Sequence, residues 1–157
     1  CFYTGEAFEI NDLVFEPFSL PHDAKDPVGF IIHHRDIKIA IVTDLGYATN
    51  LVKERIKGSH LIVLEFNHDE EMLKLGPYPW PTKQRIRSQR GHLSNNESSA
   101  LLKSSLHRDL QWVILAHLSA INNQPDIAES AAREALRGTS INLEMSQQEK
   151  VSRIISF

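Results

Sequence analysis

Three short, uninterrupted apolar runs constrain this chain more than any other feature. They are IAIV at residues 39–42, LIVL within HLIVLEF at 60–66, and WVILA within QWVILAH at 111–117. Each is too short for a core helix and rich in β-branched residues, so each reads as a buried strand. The first is expected to be central in a sheet. Polar residues follow all three: Asp44 after IAIVT, Glu65 at the end of LIVLE, and His117 after WVILA.

The remaining segments fit around these strands. FEINDLVFEPF alternates apolar and polar residues about Asn11-Asp12, which reads as a hairpin with a tight turn. VGFIIH at 28–33 and IKIAIV at 37–42 are two β-rich runs separated by a polar turn, His34-Arg35-Asp36. Short helices are expected at 51–56, ending at Gly58, and at 70–75, stopped by Gly76. GPYPWP at 76–81 reads as a rigid extended loop because proline fixes φ. TKQRIRSQR, 82–90, reads as a basic helix with Gly91 just past its end. Ser94 and Glu97 form a capping box for a helix running to about His107. A second cap at Asn123, with Pro125 in the first turn, starts a helix ending near Gly138. A last strand at 141–145 and an apolar tail at 151–157 complete the chain. Strands first, then alternating β and α, give an α/β or α+β fold with helices layered on a sheet. A length of 157 residues suits one domain, 1–157.

Composition excludes several classes. A net charge of −3 rules out polyanion binding through bulk charge. Cys1 is the single cysteine, so no internal disulfide framework exists, and a reducing, cytoplasmic location is expected. No apolar run approaches 18 residues, so no membrane span is expected. The abrupt entry into strand pattern suggests part of a longer protein. Eight histidines are the one unusual count. His33, His34, His60 and His107 are expected at the surface.

In open α/β sheets ligands gather at the carboxyl ends of strands. His22, after FSLP, joins Asp44 and His117 as a polar residue beyond a strand. Two imidazoles and a carboxylate suit Zn²⁺, and also Mn²⁺ or Fe. A plain turn at Asp44, a strand-end histidine at 117 and a loop at 21–23 remain open alternatives, because no compact ligand cluster is present. Glu65 and His68, in LEFNHDEEML, are candidates to orient a ligand histidine, or else belong to a capping segment. Lys83, Arg87 and Arg90 share a helical face, with Arg85 turned elsewhere. Preceded by Tyr78 and Trp80, they are candidates to hold substrate phosphate, against a plain solvated helix.

PHDAKDPVGF, IVTDLGY, LEFNHDEEML, GPYPW…KQRI…GHLSN and LAHLSAINNQP, taken in order, resemble the C-terminal part of YycJ/WalJ-type proteins. These lie in the metallo-β-lactamase fold superfamily, near the RNase Z and β-CASP nuclease branches. The likeness runs from about Glu6 to Leu136. It implies an αββα sandwich, here partial, with two divalent ions, Zn or Mn, between its sheets. His22, Asp44 and His117 fall on ligand motifs, with Asp44 as the bridging, catalytic aspartate. His92 matches a motif near the active site and is not carried over as a ligand, and His68 matches a family motif whose role stays open.

The superfamily's His-x-His-x-Asp-His motif is absent from this chain. About half of the metal-binding set and the first sheet are then expected upstream, with a sticky sheet edge where they belong. The resemblance implies that the intact protein hydrolyses nucleic-acid phosphodiesters, as a 5′-to-3′ DNA exonuclease, and that this piece alone is inactive. A hydrolase of a small ester or signalling phosphate, and a non-catalytic partner-binding module, are the competing readings.

Overall fold

The computed structural model describes all residues, Cys1–Phe157. Seven strands form one sheet in sequence order: β1 (Phe8–Ile10), β2 (Leu13–Ser19), β3 (Val28–His34), β4 (Ile37–Val42), β5 (Leu61–Glu65), β6 (Trp112–Ala116) and β7 (Asn142–Met145). β1 to β4 are antiparallel neighbours, and β4 to β7 are parallel. The antiparallel half is closed by tight turns in which Asn11 and Arg35 take left-handed φ of 55° and 50°. Parallel neighbours need crossovers. These carry α1 (Asn50–Ile56) between β4 and β5, α2 (Glu70–Leu75), α3 (Trp80–Ile86) and α4 (Asn95–Ser104) between β5 and β6, and α5 (Pro125–Ala135) before β7. The chain therefore forms a sheet-and-helix layer, as the pattern of apolar runs requires.

Strand pairing puts Ile31, Ala40, Ile62 and Val113 in one row and Val42, Leu64 and Leu115 in the next. All seven are buried, in a core that also takes Val52 and Ile56 of α1, Leu101 and Leu102 of α4, and Ala128 and Ala132 of α5. Each large aliphatic side chain buried this way contributes about 1.5–3 kcal/mol.

The opposite face is apolar as well, yet only half-covered. Phe30, Ile41, Val63 and Ile114 lie in one cross-strand row, and Phe15, Ile32, Ile39, Leu61 and Trp112 in the next; all but the buried Leu61 have intermediate exposure. Phe2, Phe8 and Phe15 stack on it with centroid spacings of 5.3 and 5.1 Å, and the Arg153 guanidinium lies 4.7 Å over the Trp112 ring. Besides the open edges, formed by the short strands β1 and β7, this face is itself an incompletely covered apolar surface.

Several local expectations are corrected. Trp80 and Pro81 are not in an extended loop but open α3, with proline in its first turn. That helix stops at Ile86, so Arg90 lies beyond it and Gly91 is not its C′ residue. Gly91 is required because a Cβ there would strike the Ile86 and Arg85 carbonyl oxygens. α4 carries the expected Ser94–Glu97 capping box but ends at Ser104 rather than near His107. The N-cap of α5 is Gln124, with no side-chain cap, not Asn123. The tail at 151–157 forms no regular element. No helix is long and apolar enough to cross a membrane.

Candidate metal centre

β4, β5 and β6 are parallel, so their carboxyl ends share one rim of the sheet. β2 runs in the same direction as β4, being antiparallel to β3, so the loop after β2 reaches that rim too. Asp44, Glu65, His117 and His22 are thereby brought together. His92 joins them from the segment between α3 and the N-cap of α4. Its ring centroid lies 4.8 Å from that of His22 and 5.1 Å from that of His117.

Donor atoms of Asp44, Glu65, His92 and His117 all lie within 4.8 Å of one another. His22 Nε2 stands 3.6 Å from Asp44 Oδ1, and His117 Nε2 stands 3.8 Å from the same oxygen. Both rings have their other nitrogen engaged. His22 Nδ1 donates to the Gly91 carbonyl at 2.8 Å, and His117 Nδ1 donates to Glu65 Oε2 at 2.6 Å. Each Nε2 is left facing the Asp44 carboxylate, and that of His22 also stands 3.5 Å from Asp23 Oδ1. Tying one imidazole nitrogen to an acceptor while freeing the other is how proteins prepare histidine for a cation. This donor chemistry fits a divalent metal at His22, Asp44 and His117.

Glu65 has no solvent exposure. Its Oε2 accepts from His117, from His92 Nδ1 at 2.9 Å and from the Asp44 backbone N–H at 3.2 Å. Its Oε1 accepts from the backbone N–H groups of Leu93 at 2.9 Å and Leu45 at 3.4 Å. Burial pushes its carboxyl pKa up, but the hydrogen bonds from His117 and His92 prevail and hold it at about 2. The same contact raises the pKa of His117. With five donors upon it, Glu65 fixes the positions of His92, His117 and the Asp44 backbone.

The backbone at the site is unusual. Asp44 and His117 take left-handed φ of 60° and 57°, a conformation costing about 1–3 kcal/mol in a residue other than glycine. Each is held by a buried side chain: Glu65 takes the Asp44 N–H, and Asn67 Nδ2 donates to the His117 carbonyl at 3.0 Å.

A set of asparagines connects the loops that carry these groups, and its role was not read from the sequence. Asn95 and Asn123 exchange two amide hydrogen bonds of 2.9 Å. Asn123 Nδ2 also reaches the Phe66 and Asn67 carbonyls at 2.8 and 3.1 Å. The only sequence signal was the Asn-Asn pair after each His-Leu-Ser.

Other candidates lie outside this point. His68 is buried beside Ser94, and its Nδ1 has no partner. Lys83 Nζ donates to the Lys74 carbonyl at 2.7 Å, Arg87 is exposed without an ion pair, and Arg90 Nη2 approaches the His22 carbonyl at 3.5 Å. Arg85 pairs with Asp23, next to His22 in sequence, and its hydrogen bonds hold the Asp23 carboxyl at about 2. His33, His34, His60 and His107 are half-buried rather than exposed, each with a polar partner away from the site.

No protein-family model matches the chain. It is 36% identical to "Exodeoxyribonuclease YycJ" of Bacillus anthracis over 135 residues, 86% of this chain and 51% of that protein. It is 32% identical to "Exodeoxyribonuclease WalJ" of Streptococcus pneumoniae over 127 residues, covering 81% and 47% respectively. Among solved structures it superposes on the metallo-β-lactamase fold protein YhfI from Bacillus subtilis with a TM-score of 0.67. That match has 14% identity over 93% of this chain and 52% of the other, and it shows the fold. The chain spans about half the length of the curated relatives it matches.

Proposed function

We propose that this chain, a YycJ/WalJ-type homologue with the metallo-β-lactamase fold, carries part of the active site of a metal-dependent nuclease, a 5′-to-3′ DNA exonuclease. The observation that carries the reading is the pair of imidazoles, His22 and His117, whose Nε2 atoms flank a single Asp44 oxygen at 3.6 and 3.8 Å. In this reading His22, Asp44 and His117 would hold the metal, two divalent ions, Zn or Mn. Bound there, divalent ions supply Lewis acidity toward a phosphoryl oxygen and lower the pKa of water.

The chain's own residues do the rest. Glu65 fixes the tautomer and direction of His117 and the backbone of Asp44. His92, held by Glu65 beside both ligand histidines, is placed to carry a proton to or from substrate. Lys83, Arg87 and Arg90 face the phosphate backbone. Further donors and the second sheet come from sequence outside this chain, so the chain alone is inactive. The half-covered apolar face of the sheet supports this reading, because it is where a second sheet packs. In this reading the protein acts on cellular DNA, in the cytoplasm.

The test is exonuclease assay of the full-length protein with Mn²⁺ or Zn²⁺. Asp44→Ala is expected to abolish cleavage and lower bound metal. Undiminished cleavage in that variant rejects the assignment. DNA binding should weaken steeply with salt, whereas binding of a small ester would not.

A further inference from the structure

From Met72 to Asn96 the sequence contains no carboxylate and five cations, Lys74, Lys83, Arg85, Arg87 and Arg90, in a chain whose net charge is −3. This segment leads directly into the metal centre. Its C-terminal end is fastened there, with Asp23 N–H donating to the Arg90 carbonyl at 3.0 Å, Arg85 on Asp23, and His92 N–H on the Ile86 carbonyl at 2.9 Å. Its other end points away. Six residues separate Ile86 from Trp80, so the rise of α3 sets Trp80 about 9 Å farther along the helix axis from that fastening.

Trp80 is 63% exposed at the start of α3. Lys83 and Arg87 follow it at three and seven residues, on the same side of the helix, Lys83 Nζ sharing its charge with the Lys74 carbonyl and Arg87 being exposed without a partner. An exposed indole in register with cations, on a segment without carboxylates, has the composition of a single-strand binding track. Cations follow the phosphates there, and an aromatic ring takes a base. Duplex bases are already stacked on one another and offer no such face along their length. Pro79 and Pro81 flank the indole and stiffen its backbone, so little conformational freedom is lost when a base settles on it.

We propose that Trp80 is a stacking platform for a nucleobase of an unpaired strand, which α3 then leads toward His22 and Asp44. The proposal rests on the nuclease reading and adds to it the form of the substrate. The indole acts on binding and does not touch the reacting phosphate.

The experiment uses the full-length, metal-loaded protein and probes it does not cut: a phosphorothioate oligodeoxythymidylate and a blunt phosphorothioate duplex, each fluorescently labelled. Trp80→Ala should weaken binding of the single strand about 5- to 100-fold, the worth of one stacked base. Trp80→Phe should restore most of it, and duplex binding should change by less than about twofold. Arg87→Ala, a phosphate contact, should weaken both probes alike. Unchanged single-strand binding in Trp80→Ala, or equal losses on both probes, overturns the stacking role while leaving the nuclease reading intact. If the parent protein neither binds these probes nor cuts ordinary DNA, both readings fall together.

Discussion

A carboxylate without solvent contact keeps its charge only when its surroundings donate to it. Glu65 collects five such donors, three from backbone N–H groups and two from His92 and His117. Glu65→Gln preserves the shape but turns an amide NH₂ toward groups that are themselves donors. In the full-length protein it should lower metal affinity about 10- to 100-fold, the usual cost of losing a residue that orients a ligand. Competition against a chelator measures it, and unaltered affinity would remove Glu65 from the orienting role. His68 makes a separate prediction. Burial pushes its pKa below 6.5, opposed by Glu97, Glu65 and Glu70 and assisted by His92. Between the folded-state value and 6.5, the unfolded chain takes up a proton that the folded chain refuses. Its contribution to stability is therefore complete above pH 6.5 and is lost as the pH falls from there through the lower folded-state value. Urea midpoints of the full-length, metal-stripped protein at pH 7.5 and 5.5 should fall further for the parent than for His68→Gln. Equal falls would mean that His68 is free to protonate. His117, with its raised pKa, contributes with the opposite sign, but it does so in both proteins and cancels in the comparison.

Three of the loops around the site are linked: the one after β5, the one before α4 and the one after β6. Asn67, Asn95 and Asn123 tie them to one another through buried amides. Removing one member of the reciprocal pair strands the other, so Asn95→Ala should cost about 1–3 kcal/mol in denaturant unfolding. Asn123→Ala should cost more, because two carbonyls also lose their donor. The double substitution should cost less than the two single ones added together; simple additivity would show that the amides act independently. The contrast with the capping box explains what was legible in the sequence. Ser94 and Glu97 are three residues apart and satisfy each other, so their pattern is local and readable. Asn123 sits where a cap for α5 belongs, but its partners lie 28, 56 and 57 residues away, and no local pattern reveals them. The strands were legible because apolar runs declare burial by themselves. For the same reason His22, Asp44 and His117 could be singled out as strand-end residues. That Glu65 joins Asp44, His92 and His117 depends on how segments distant in sequence meet. Arg85 has the same limit: helical spacing turns it away from Lys83 and Arg87 but does not show that Asp23 receives it.

At the scale of the whole molecule, the two faces of the sheet are equally apolar but unequally covered. Helices bury Ile62, Leu64, Val113 and Leu115 completely on one side, while Ile41, Val63 and Ile114 are only half-covered on the other. Contiguous apolar surface of this kind is uncommon on a free monomer and marks a place where something packs. If a second sheet of the full-length protein packs there, a charge placed on this face has opposite consequences in two settings. In the full-length protein, Val63→Glu buries an unpaired carboxylate between sheets and should destabilise by several kcal/mol, far beyond the roughly 0.5 kcal/mol of an ordinary surface substitution. In the 157-residue chain expressed alone, the same substitution interrupts an apolar surface open to water and should reduce self-association. Thermal unfolding of the first and light scattering of the second read the two signs. A neutral effect on the full-length protein would show that this face is open to solvent there too. The remaining metal donors would then have to reach His22, Asp44 and His117 from the rim of the sheet alone, without a second sheet behind them.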